Sequence, residues 1–258
     1  LPDLATVSGV RLSAVAAGIR YQGRTHLMLA EFTPGTIVAG VFTKNACPGA
    51  PIQWCKTAVT TPYARALLVN SGNANVFTGQ AGVETVEACA EAVGKLLHCL
   101  PQDVFLASTG VIGEKLPQDR IINALPAAEA ALADANWEEA ARAIMTTDTF
   151  PKAARRDVHI GKTPVRIQGI AKGSGMIAPD MATMLAYVMT DAKLPQNVLQ
   201  SLLSSGVGPS FNSITVDSDT STSDMLLAFA TGAADNEPVT DVHDPELAEF
   251  TLAFNDLL

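Results

Sequence analysis

The segment Lys172-Gly173-Ser174-Gly175-Met176-Ile177-Ala178-Pro179-Asp180-Met181-Ala182-Thr183-Met184-Leu185 is where chemistry is most concentrated. Its glycines open backbone conformations closed to other residues, or let the backbone approach a ligand. Pro179 fixes a turn just before the apolar run Met184 to Met189, a strand candidate. Thr183 therefore stands at the mouth of a strand, behind a constrained loop. On residue types alone two readings stay open. One is a β-turn followed by a strand-initiating threonine; the other is a hydroxyl held for nucleophilic attack.

Other chemistries find less support. Gly173-Ser174-Gly175 lacks the spacing of a phosphate-cradling P-loop, and Gly110-Val111-Ile112-Gly113-Glu114-Lys115 lacks a hydroxyl after its lysine. No GxSxG elbow or GxGxxG fingerprint occurs. The stretch Asp217-Ser218-Asp219-Thr220-Ser221 fails as a calcium loop, with Thr222 where glycine and Ala228 where glutamate are needed. It reads as a polar loop making local hydrogen bonds. His26, His98, His159 and His243 are scattered, with no zinc-ligand spacing, so no metal is expected. Cys47, Cys55, Cys89 and Cys99 form no CxxC pair and read as buried or idle thiols of a reducing compartment. The expected location is the cytoplasm.

These residues need elements to hold them. Val10 to Ile19, Thr25 to Phe32 and Thr36 to Thr43 read as strands of an antiparallel meander, parted by turns at Tyr21-Gln22-Gly23 and Thr33-Pro34-Gly35. The strand Arg65 to Val69 runs into a polar loop, Asn70 to Asn75. A helix is predicted over Gln80 to Leu97, where Val83, Val86, Ala90, Val93 and Leu97 recur at helical spacing. Val104 to Ala107 is a buried strand leading to a loop at Ser108 to Gly113. Helices follow within Gln118 to Ala133, kinked or interrupted at Pro126, and from Asn136 to about Met145. Asn136 and Glu139 there have capping-box spacing. Further strands are expected at Asp157 to Ile160, Val165 to Ile170 and Met225 to Thr231, and helices near Pro195 to Ser204 and Pro245 to Leu257. Strands and helices without strict βαβ alternation indicate an α+β layered fold.

Composition sets the outer bounds. The 258 residues are 48% hydrophobic and 17% charged, enough for a sizeable core and too apolar for disorder. With 17 Lys plus Arg against 26 Asp plus Glu, the net charge is −9. That argues against nucleic acid or an anionic membrane as a partner, since both require clustered cations. No apolar run is long enough to span a membrane, and Leu1 to Val10 carries no signal-peptide pattern.

Taken together, the segments resemble the ornithine acetyltransferases (ArgJ family), self-processing enzymes with an N-terminal threonine nucleophile. The resemblance rests first on Lys172 to Leu185, with its Ala-Thr-Met-Leu context. Asn70 to Asn75 with Thr78-Gly79, Ser108 to Gly113, Met145 to Lys152 and Asn212 to Asp219 then match in the expected order. It implies an α+β layered sandwich of central β-sheets flanked by helices, the DmpA/ArgJ-like fold. It also implies autocatalytic cleavage of Ala182–Thr183, dividing residues 1–182 from 183–258. The family's pattern continues beyond Leu258, into segments that add substrate contacts.

The resemblance further implies roles for particular residues. Thr183 is the nucleophile, Thr109 and Gly110 form the oxyanion hole, and Thr149 and Lys172 contact substrate, as does Thr183. Physical chemistry agrees with the first role. A threonine hydroxyl needs a base to take its proton, and a new α-amino group, with a pKa of roughly 7.7–8.0, supplies one in the same residue. The implied reaction moves an acetyl group from N2-acetylornithine to glutamate by a ping-pong route. No cofactor is required, although some members also take acetyl-CoA as a donor substrate. Associated fragments and a higher homo-oligomer are implied as well. Asp180 stands where asparagine is expected in many members, which bears on cleavage rate. The rival readings are a related amidohydrolase or aminopeptidase, with water as acceptor, and an unprocessed, non-catalytic homologue.

Overall fold

The computed structural model describes residues 1–20, 23–175, 184–215 and 220–258. Within these, one sheet holds β1 (Val10–Val15), β2 (Leu27–Phe32), β4 (Ala66–Asn73) and β5 (Val104–Val111) in the order β1-β2-β4-β5. A second holds β3 (Ile37–Phe42), β9 (Met225–Ala230), β8 (Leu185–Thr190), β7 (Thr163–Lys172) and β6 (Lys152–Ile160) in the order β3-β9-β8-β7-β6. The helices are α1 (Ala50–Ala58), α2 (Gln80–Leu96), α3 (Gln118–Ala130), α4 (Trp137–Ala143), α5 (Gln196–Val207) and α6 (Ala248–Leu257).

Alternation along the strands stacks these parts into layers. Leu67 and Val69 of β4 face the second sheet, and Leu185, Tyr187 and Met189 of β8 face the first; all join one buried cluster. Phe32 stacks on Phe229 across that gap, ring centroids 4.3 Å apart. The alternate residues face outward: Leu68 and Leu106 pack with α2 and α3, and Ala186 and Val188 with α5 and α6. The result is a helix–sheet–sheet–helix sandwich, the α+β layering expected.

Several local expectations change. β3 does not continue a meander. β2 is paired on both edges, by β1 and β4, so the chain crosses to the other sheet and β3 pairs with β9. The polar stretches after Val69 and Ala107 are strand rather than loop. Asn70 to Gly72 pair in parallel with Ser108 to Gly110, and the Ser108 hydroxyl donates to Asn70 Oδ1 at 2.6 Å, satisfying polar groups that burial would penalise. Helix α1 was not anticipated; Pro51 in its first turn needs no N–H donor there. Helix α3 runs through Pro126. Asn136 precedes α4 without capping it, because its amide donates to the Leu12 and Ala131 carbonyls instead. No helix among the described residues is long and apolar enough to cross a membrane.

Candidate active site

Parallel strands β4 and β5, joined through α2, end side by side at one edge of the sandwich. The end of β7 reaches the same edge from the second sheet. Between them opens a cavity of about 400 Å³, within the common range for small-molecule sites. β4 lends Ser71 and Gly72, β5 lends Thr109, Gly110 and Val111, and β7 and its continuation lend Lys172 and Gly175. Arg24 and His26, before β2, and Met145, Thr146 and Thr147, after α4, complete the wall.

Three of the anticipated residues therefore come together. Lys172, only 2% exposed, donates from Nζ to Thr109 Oγ1 at 3.1 Å. An ammonium cannot accept, so the hydroxyl must, and its own proton is left for another partner. Burial pulls the Lys172 ammonium below the ordinary lysine pKa, against the opposing charge of Asp148. Gly110 has a φ of 132°, and a Cβ there would lie 2.4 Å from the Gly72 carbonyl carbon, so the paired strand ends approach too closely for a side chain.

Thr149 lies apart from this group. It is exposed in the turn after α4 and does not line the cavity. Thr183, Ala182 and Asp180 fall outside the described residues, as do Asp217 to Asp219. The covalent neighbour of Thr183 is placed, however. Met184 donates its N–H to Asp224 Oδ1 at 2.9 Å and accepts from the Met225 N–H at 3.0 Å. Leu185 pairs directly with Lys172.

Two carboxylates that the sequence did not single out support this arrangement. Asp148 accepts from Lys152 Nζ at 2.6 Å, the Gly173 N–H at 2.8 Å and the Thr146 N–H at 3.3 Å. It thereby ties the threonine-rich turn to the residue after Lys172. Asp224 is fully buried; burial pushes its carboxyl up to about 8, against the Met184 N–H, the Ser221 hydroxyl and the Lys172 charge. Sequence offered no periodicity or role for either, although Asp148 lies within the matched segment Met145 to Lys152 and Asp224 follows the matched Asn212 to Asp219. Asn70, Asn73 and Asn75 spend their side-chain bonds on Asn73 O, Glu114 O, Gly82 O and one another's loop, which makes them architectural. Among the described residues no group of three His, Cys, Asp or Glu side chains could hold a metal ion.

The sandwich recurs in solved proteins. An L-aminopeptidase D-Ala-esterase/amidase from Ochrobactrum anthropi, described as a variant among the Ntn hydrolase fold, matches 97% of this chain and 82% of its own (TM-score 0.57, 14% identity), a likeness of fold alone. Ornithine acetyltransferase from Mycobacterium tuberculosis, solved with ornithine, matches 69% of this chain and 94% of its own (TM-score 0.58, 34% identity). A layered α+β fold of two stacked sheets flanked by helices is thus the class.

Within that class the chain belongs to the ArgJ family, whose profile matches residues 11–258. It is similar to the arginine biosynthesis bifunctional protein ArgJ of Gluconobacter oxydans, with 80% identity over 258 residues, and to that of Brucella suis, with 53% over 261. The chain spans 61% and 63% of the lengths of these two relatives.

Proposed function

We propose that this chain carries the acyl-transfer centre of an acetyltransferase of arginine biosynthesis, moving acetyl from N2-acetylornithine to glutamate through a Thr183 ester. The observation that carries the reading is the buried Lys172–Thr109 contact in a cavity at the start of β8, the strand that follows Thr183. Family membership and the ornithine-bound relative support the substrate class.

On this reading, cleavage of Ala182–Thr183 yields fragments 1–182 and 183–258, which stay associated through the shared second sheet: β7 and β8 pair across the cut. The new α-amine takes the Thr183 hydroxyl proton as its oxygen attacks the acetyl carbonyl carbon. The Thr109 hydroxyl and Gly110 N–H receive the developing oxyanion. The C–N bond breaks, the proton passes to the ornithine nitrogen, and ornithine leaves. The glutamate amine then attacks the ester carbonyl, restoring the Thr183 hydroxyl. Lys172 suits a substrate carboxylate, and the turn that Asp148 anchors brings Thr146 and Thr147 to the cavity wall. Acetyl-CoA is a second donor for the same nucleophile, no cofactor takes part, and the processed units pair further in the cytoplasm.

Mass spectrometry under denaturing conditions, with initial rates, tests the reading. Two fragments divided at Ala182/Thr183 and glutamate-dependent release of ornithine are expected, with one intact, inactive species for Thr183→Ala. Unchanged activity of an intact Thr183→Ala chain overturns the nucleophile. Hydrolysis of acetylornithine unaffected by glutamate overturns transfer.

A further inference from the structure

Asp224 is a fully buried carboxyl group that the mechanism above does not use. It ends the approach to β9, and its place is fixed from several sides. Its carbonyl accepts from the Thr43 N–H at 3.0 Å, and the Thr43 hydroxyl in turn donates to the Ser221 carbonyl at 2.7 Å. From that rigid seat, Oδ1 accepts the Met184 N–H at 2.9 Å, while the next residue, Met225, donates its N–H to the Met184 carbonyl at 3.0 Å. Both backbone groups of Met184 are therefore held by consecutive residues, Asp224 and the first residue of β9. Oδ2 has no hydrogen-bond partner among the described residues. Burying a carboxyl group is costly when a hydroxyl or backbone carbonyl would serve to hold the Met184 N–H, and such costs gather at functional sites.

We propose that Asp224 is a positioning residue for the Thr183 nucleophile, fixing the main chain one residue behind the reacting hydroxyl and amine. This rests on the reading of Thr183 above. The Met184 nitrogen is one peptide bond, about 1.33 Å, from the Thr183 carbonyl carbon. A chain end created by cleavage frays over its first few residues unless it is tied down. The Asp224–Met184 bond leaves a single residue of the new chain end ahead of the tie. With its pKa pushed up to about 8 by burial, Asp224 is mostly protonated near neutral pH, facing Lys172 of β7 as its charged neighbour. Asparagine therefore copies its working form, and leucine copies its bulk without an acceptor.

Turnover of acetylornithine and glutamate, measured per cut chain, tests this. Asp224→Asn is expected to keep kcat within about fivefold of wild type. Asp224→Leu is expected to lose kcat by about 100-fold with KM within about threefold, the cost of a misplaced reacting group. Equal kcat for the two variants overturns the proposal. Should Asp224→Leu fail to fold, Asp224→Glu decides instead, because it keeps an acceptor displaced by one methylene. A kcat about tenfold below that of Asp224→Asn with unchanged KM supports the role, and equal values overturn it. A wild-type chain that is neither cut nor dependent on Thr183 defeats the earlier reading instead. A cut, Thr183-dependent wild type with equal Asp224 variants defeats only this one.

Discussion

Lys172 on β7 and Thr109 on β5 meet between the two sheets, Nζ to Oγ1 at 3.1 Å, with each side chain about 2% exposed. The contact joins a cation to a hydroxyl that then points its own proton elsewhere. If that proton meets the oxyanion, the two residues act as one unit. Thr109→Val is then expected to lower kcat by roughly 10²–10³-fold. Lys172→Met should lower kcat and also raise KM, through the lost substrate carboxylate contact. The double variant should be no worse in kcat than the worse single one by more than about threefold, since members of one unit are not additive. Initial rates on the four proteins check this. Multiplication of the two single losses would show that the residues act separately.

Gly110 and Gly113 both hold positive φ, at 132° and 82°, but only Gly110 faces a wall. A Cβ on Gly110 would stand 2.4 Å from the Gly72 carbonyl carbon, whereas one on Gly113 meets nothing within 4 Å. Gly113→Ala should cost about 1 kcal/mol from backbone strain alone. Gly110→Ala adds a collision that only movement of β4 against β5 relieves, at roughly 2–3 kcal/mol more. Thermal melts should separate the two by several degrees, and Gly110→Ala alone should also lose activity. Equal melting temperatures would mean that the strand ends separate without cost.

Elements with a strong period were legible in the sequence, and those fixed by pairing were not. Helix α2 was found almost to the residue because Val83, Val86, Ala90 and Val93 mark one face. The ends of β4 and β5 were missed because Asn70, Ser71, Ser108 and Thr109 look like loop residues. They become strand only when paired with one another, with the Ser108–Asn70 bond satisfying the buried oxygens. The same blindness affects the site. Thr109, Gly110 and Lys172 were given roles by resemblance, while Asp148, though inside a matched segment, and Asp224 matter through burial and a backbone N–H brought from afar in the chain. Gly173 is 25 residues from Asp148, and Met184 is 40 from Asp224. No local pattern records such a partner.

The four cysteines should divide by burial. Cys55 donates to the Leu106 carbonyl at 3.2 Å inside the inter-sheet core, and burial pushes its thiol up to about 12. Burial does the same for Cys89, also to about 12. The thiolate is the reactive form, so neither should alkylate in the folded protein. Cys47 is exposed and should react first with iodoacetamide at pH 8, followed by the half-buried Cys99. Peptide mapping after timed labelling checks the order. Labelling of Cys55 as fast as Cys47 would mean that the core beside β5 opens readily.

Asp148 offers a pH-dependent prediction. Burial alone would push its carboxyl up, but the Lys152 ammonium, the Gly173 N–H, the Lys172 charge and the Thr146 N–H outweigh that and hold it below the ordinary aspartate value. The folded pKa is thus lower than the unfolded one of roughly 3.9. The stability it confers is then fully present above that value and is lost as pH falls through the folded one. Asp148→Asn removes this contribution, and losing hydrogen bonds to a charged group should cost about 1.5–3 kcal/mol at pH 7. Denaturant unfolding of wild type and variant should show a constant gap from about pH 5 to 7 that narrows below about pH 3.9. Asp157, also held low by Arg155 and Arg166, titrates in both proteins and drops out of the difference. Because Asp148 anchors Thr146 beside the cavity and Gly173 beside Lys172, the variant should also raise KM at pH 7. A stability gap unchanged down to pH 3 would mean that the carboxylate charge is not what ties the turn to β7.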